Sequence, residues 1–151
     1  MNLVACAVVS VGALVATSIA ANSGPIDPRT VQAVTIYELN VDAALCPSIL
    51  IKNGTALCPN AARHYVLKQT ERDRILSLLN EHSSWDASKR PTCSVPREAV
   101  VVETTKGTRA FDINLECDNV AGRAPTKATK KALSLFMRGF GFVAHVPFNL
   151  D

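Results

Sequence analysis

No charged side chain occurs before Asp27, and no Lys or Arg stands at the very start where an export signal usually carries one. The chain also has no C-x-x-C pair, no G-x-S-x-G elbow and no glycine-rich phosphate loop. The first absence removes the usual device of a dithiol catalyst, which places a resolving cysteine next to an acidified thiolate. The other two remove the hydrolase and nucleotide-binding signatures. Aromatics are few, and 16 basic against 13 acidic residues give a net charge of only +3. Neither a stacking surface nor a long-range pull toward nucleic acid is implied.

The uncharged N-terminal stretch is an apolar run from Leu3 to Ala21, broken only by small residues such as Ser10, Gly12, Thr17 and Ser18. Ending in Ser18-Ile19-Ala20, it reads as a secretory signal peptide, residues 1–20, cleaved after Ala20. The run is nearly long enough to span a bilayer, so an uncleaved signal anchor is the competing reading. Leu3-Val4-Ala5-Cys6 has lipobox chemistry, but no hydrophobic region precedes Cys6. The expected location is therefore periplasmic or secreted, and membrane-anchored if the N-terminal segment is retained.

Residues 21–30, with Gly24, Pro25 and Pro28, read as a flexible leader, and residues 31–151 as one α+β domain. Val34–Leu39 alternates like a strand, and Arg63–Lys68 supplies a second. Thr70 with Asp73 three residues on predicts an N-cap for a helix from Glu71 to about His82, whose Ile75, Leu76, Leu78 and Leu79 form one apolar stripe. Ala99–Glu103 is apolar on both faces. Phe111, Ile113 and Leu115 alternate with Asp112, Asn114 and Glu116, a strand buried on one face. Thr105-Lys106-Gly107 is the turn between these two strands. Pro125-Thr126 opens a last helix to about Arg138, carrying Leu133, Phe136 and Phe140, with Gly139 and Gly141 stopping it. The loop from His82 to Thr92 holds Trp85 as an anchor. The order ββαββα predicts a four-stranded, mainly antiparallel sheet with both helices on one face.

Losing Cys6 with the signal leaves Cys46, Cys58, Cys93 and Cys117, an even number suited to an oxidising compartment. Cys46 and Cys58 enclose Asn53-Gly54, a strong hairpin-turn pair. Cys93 and Cys117 bracket the open end of the second hairpin. Pairing Cys46 with Cys58 and Cys93 with Cys117 is the expectation, although four cysteines allow three connectivities. A zinc site would need ligands converging at tetrahedral spacing, whereas His64, His82 and His145 are scattered. No cofactor or metal is implied.

Around Cys93-Ser94-Val95-Pro96-Arg97 and Leu115-Glu116-Cys117 the chain resembles a family of uncharacterised exported bacterial proteins, many of them lipoproteins. Its members show C-x-x-P-R-H, a strand, a glycine-containing turn, a second strand and then C-F-E-C-N. The likeness covers Thr70 to Asn119 and implies an envelope location and an α+β fold, with no activity attached. Glu98 stands here where the family motif has His, and Asn114-Leu115-Glu116-Cys117 where it has C-F-E-C. The family's cluster of three cysteines and a histidine is thereby reduced to two cysteines.

Two further features carry candidate function. Arg97, between Pro96 and a strand, is placed to pair with Glu116 or to meet an anionic ligand. Lys127, Lys130, Lys131 and Arg138 make the last helix basic on one side, which suits phospholipid headgroups or an acidic envelope partner, or forms a solvated face. Carboxylates such as Glu98 and Glu103, or Asp112 and Glu116, are expected on solvated strand faces. The leading reading is a non-enzymatic exported domain that binds an envelope or extracellular partner. The rival is a thiol or metal enzyme with its site at Cys93, Arg97, Glu116 and Cys117.

Overall fold

A computed structural model describes residues 24–39, 51–52, 55–56, 61–93 and 96–142. Residues 1–20, which read as an export signal, together with Cys46, Cys58, Asn53, Gly54 and His145, lie outside the described residues. Five strands form one antiparallel sheet in the order β4-β1-β5-β6-β7. They are β1 (Val31–Leu39), β4 (Ala61–Val66), β5 (Glu98–Thr104), β6 (Gly107–Asn114) and β7 (Asn119–Val120). Two short strands, β2 (Ile51–Lys52) and β3 (Thr55–Ala56), pair as a separate antiparallel ribbon around the position of Asn53-Gly54. Helix α1 covers Gln69–Asn80 and α2 covers Lys127–Gly139.

The α+β class is thus as the sequence implies, with one strand more than the expected four. The addition is β7, a two-residue strand paired to Ile113 and Asn114. Two residues are too few to show an alternation, so periodicity has nothing to read there. β5 occupies the middle of the sheet, between β1 and β6. Its Ala99, Val100, Val101 and Val102 are all buried, as a strand apolar on both faces requires.

Both helices cover the same face. Val34, Ile36, Val100, Val102, Phe111 and Ile113 from the strands join Ile75, Leu76 and Leu79 of α1 in one core. Leu133, Phe136 and Met137 of α2 complete it. Phe111 is buried and its neighbour Asp112 only half so, which is the one-sided pattern expected of β6. The opposite face carries a smaller cluster of Tyr37, Ala99 and Val101.

Helix boundaries follow local chemistry. α2 starts at Thr126, whose hydroxyl accepts from the Thr129 amide at 3.3 Å. It ends in a Schellman motif: Gly141 adopts φ +72°, its amide donates to Arg138, and the Phe142 amide donates to Met137. α1 begins two residues earlier than the Thr70–Asp73 spacing predicts. The Lys68 amide donates to the Glu71 carboxylate at 2.8 Å, so Glu71 sits at the third helical position and Thr70 lies inside the first turn. Thr70 is a plausible cap by residue type, but the carboxylate of Glu71 satisfies an orphan amide one step further back.

The chain is tied into the fold from Gly24 onward, ahead of the Val31 boundary expected from composition. Ile26 is only 4% exposed and belongs to the main core. The Asn80 side chain clamps it by accepting from the Ile26 amide at 2.7 Å and donating to its carbonyl at 2.8 Å. Asp27 then caps the 3₁₀ turn Pro28–Thr30. Proline and glycine mark this stretch as irregular, which it is. Its anchoring depends on an asparagine 54 residues away.

Candidate functional site

The strands β5 and β6 are joined at Thr105-Lys106 and diverge at Pro96 and Leu115, where Cys93 and Cys117 form a disulfide with Cα atoms 5.2 Å apart. The ladder places the bracket. Arg97 donates its amide to Ile113 at 2.8 Å and accepts from Leu39 at 2.9 Å, extending the strand pairing to the edge of the cysteine loop. Backbone bonds continue past it, since the Thr92 amide donates to the Cys117 carbonyl at 2.9 Å.

Two buried asparagines brace the bridge. Asn114 accepts from the Cys117 amide at 3.2 Å, and its Nδ2 lies 3.5 Å from the Cys93 sulfur. Asn119 donates to the Cys93 carbonyl at 2.7 Å and accepts from the Gly122 amide at 2.9 Å. The alternation of β6 predicts a solvated Asn114, but these bonds draw it inward. Asp118 takes φ 50° in the turn between the asparagines, and its carboxylate accepts from Lys130 at 2.6 Å. That contact fastens α2 to the corner.

Arg97 and Glu116 meet as an ion pair, with Nη2 and Oε2 3.7 Å apart. This is too long for a good hydrogen bond, and Nε and Nη1 of Arg97 are buried with no hydrogen-bond partner among the described residues. Glu98, expected on a solvated face, is instead 4% exposed. It shares the core face of β5 with Val100 and Val102 and stands opposite Glu38 of β1. Burial and the neighbouring Glu38 charge push its carboxyl up to about 7, against a smaller opposing pull from Arg97. Glu38 itself is held by Arg63 of β4 at 2.6 Å.

The four basic residues of α2 do not act as one face. Lys127 and Lys131 are exposed, Lys130 is engaged with Asp118, and Arg138 is half-buried and has a partner. His64 stacks on Tyr37 at 5.7 Å, and His82 is exposed beyond α1. Among the described residues no three His, Cys, Asp or Glu side chains are grouped to hold a metal ion.

Sequence reasoning passes over a second arginine-rich corner. Arg123 lies with its guanidinium carbon 3.7 Å over the ring of Trp85, and Arg109 lies 5.2 Å over Phe111. The only local signal is Ala121-Gly122, both with positive φ, which turn the chain after β7 and bring Arg123 back beside Val120. Comparison with protein-family models, with curated proteins and with solved structures finds no match. No helix among the described residues is long and apolar enough to cross a membrane.

Proposed function

We propose that the chain is an exported domain that works by binding a partner in the periplasm or outside the cell, and that the Cys93–Cys117 corner is its structural brace rather than its chemistry. The observation that carries this reading is how the bridge is held. It crosses the open end of a hairpin, with Asn114 and Asn119 bonded around it and Lys130 of α2 fastened to the intervening turn. A catalytic disulfide needs a thiolate that attacks and a sulfur that leaves, and it gains nothing from being locked on both sides. An oxidising compartment is where such a bridge persists. The signal-like N-terminus and the resemblance to exported envelope proteins support the same location.

Thiol counting on unreduced protein recovered from the cell envelope or medium tests the reading. No reactive thiol at Cys93 or Cys117 is expected. Two titratable thiols there, or turnover of a disulfide substrate lost on replacing either cysteine, would instead favour an envelope thiol enzyme at Cys93, Arg97, Glu116 and Cys117.

A further inference from the structure

The helix-covered face of the sheet ends, beyond β6 and β7, in Arg109 and Arg123, which pair with no carboxylate among the described residues. Arg63 and Arg29, by contrast, are engaged by Glu38 and Asp27. Arg123 makes no ion pair and has no hydrogen-bond acceptor among the described residues, and Arg109 makes only one bond, to the Gly24 carbonyl at 2.9 Å. Asp86, next to Trp85, is occupied by Ser88 and Lys89. Burial draws both guanidiniums below the ordinary arginine value, and the charge of Arg109 adds repulsion at Arg123. The rings beneath them are also linked, since Trp85 packs against the core cluster that contains Phe111, and the two cations border that one cluster.

Stacking fixes what they can do. A guanidinium lying flat on an aromatic ring is held in orientation while its N–H donors, arranged around the rim of the plane, stay available. Trp85 holds Arg123 in this way, on a turn that Ala121 and Gly122 set at positive φ. Arg109 is held over Phe111 and by Gly24. Two such donors arriving from different elements suit an anion that offers oxygens on several sides and more than one charge. A phosphate group does so, whereas a carboxylate presents a single edge to one fork.

We propose that Arg109 and Arg123, with Trp85 beneath, form a binding site for a phosphate group. This rests on the reading of the domain as a binding module and names the ligand chemistry, but its test does not depend on the state of the cysteines. Trp85 is the single tryptophan of the chain, so its emission reports on this corner alone.

The full-length protein is titrated with inorganic phosphate and with pyrophosphate at constant ionic strength, sodium chloride serving as the control. A saturable change in Trp85 emission is expected with the phosphates and not with chloride. Arg109→Gln and Arg123→Gln should each weaken it at least about tenfold, the loss of one charge-assisted contact. Arg123→Lys, which keeps the charge and loses the planar fork, should fall between. A parallel arm measures co-sedimentation with phosphatidylglycerol and with phosphatidylcholine vesicles. Retention on the former that disappears in Arg109→Gln identifies a lipid headgroup as the source, and a response to soluble phosphate alone identifies a free phosphorylated ligand. No response in either arm, or one that survives both glutamine variants, overturns the proposal. If Arg123→Gln disturbs the turn, seen as a changed circular dichroism spectrum, Arg109→Gln decides the outcome.

Discussion

Glu38 and Glu98 face each other across the β1–β5 ladder, on the side of the sheet that carries the apolar core. Like charges directly opposite in a sheet repel, and here one of the two is buried. Arg63 engages Glu38, while Arg97 and Glu116 act on Glu98 from the neighbouring loop with opposite signs. With its carboxyl raised from the ordinary value near 4.5 to about 7, Glu98 keeps its proton longer in the folded chain than in the unfolded one. The folded state then binds more protons between these values, so stability falls as pH rises from about 4.5 to 7 and levels off above. The loss is on the order of 3 kcal/mol at most. Chemical denaturation at pH 5 and pH 8 should show it, and Glu98→Gln should flatten the difference by raising stability at pH 8. A pH-independent midpoint in the parent protein would contradict the argument.

Replacing both Cys93 and Cys117 with Ala should lower stability by about 3.5 kcal/mol, the chain-entropy value for a loop of roughly 25 residues. Any binding activity should persist in the molecules that remain folded, because the cross-link acts mainly on the unfolded ensemble. Urea titration combined with a binding assay separates this from a working pair, for which activity would vanish while the melting temperature held.

Ala121 is held at φ 50° in the two-residue turn between Val120 and Arg123, followed by Gly122 at φ 79°. Such a turn favours Asn-Gly, and an alanine in the left-handed region costs about 1 kcal/mol. Ala121→Asn should therefore raise the unfolding midpoint by an amount equivalent to about 0.5–1 kcal/mol. An unchanged or lowered midpoint would mean that the turn relaxes to another shape.

Asn80 holds the Ile26 backbone through both atoms of its amide. Asn80→Ala leaves those two backbone groups without their partner and should cost about 2 kcal/mol. The damage should be local, with amide exchange and proteolysis rising first between Gly24 and Thr30 while β5 and β6 stay protected. Hydrogen exchange by mass spectrometry reads this directly.

The division between what the sequence shows and what it hides follows the range of the interactions. The turn at Thr105-Lys106-Gly107, the apolar stripe of α1 and the two-faced burial of β5 are local patterns, and the structure has them where the patterns lie. Cys93 and Cys117 pair because the register of one hairpin already brings them together. Glu98 was legible only as one polar residue at the start of an apolar strand. Its burial depends on β1, 60 residues earlier by the Glu38–Glu98 pairing, and no spacing within β5 shows that. Likewise Arg109 and Arg123 are unremarkable in the chain. Arg123 reaches its place beside Val120 only because β7 and its turn fold back along β6.

β1 is the first of the described strands yet second in the sheet, hydrogen-bonded to β4 on one side and to β5 on the other. A chain made from its N-terminus therefore produces an apolar strand well before either of its partners. Residues 61–66 must be complete before one edge is covered, and residues 98–104 before the second. The β5–β6 hairpin, by contrast, needs nothing from elsewhere in the chain to begin pairing. Folding should accordingly start late in synthesis at that local hairpin, and the docking of β1 onto it, a closure between distant segments, should limit the rate. Until then the β5-facing edge of β1 is open to another chain, so a truncation that ends before β5 would be a form prone to aggregate.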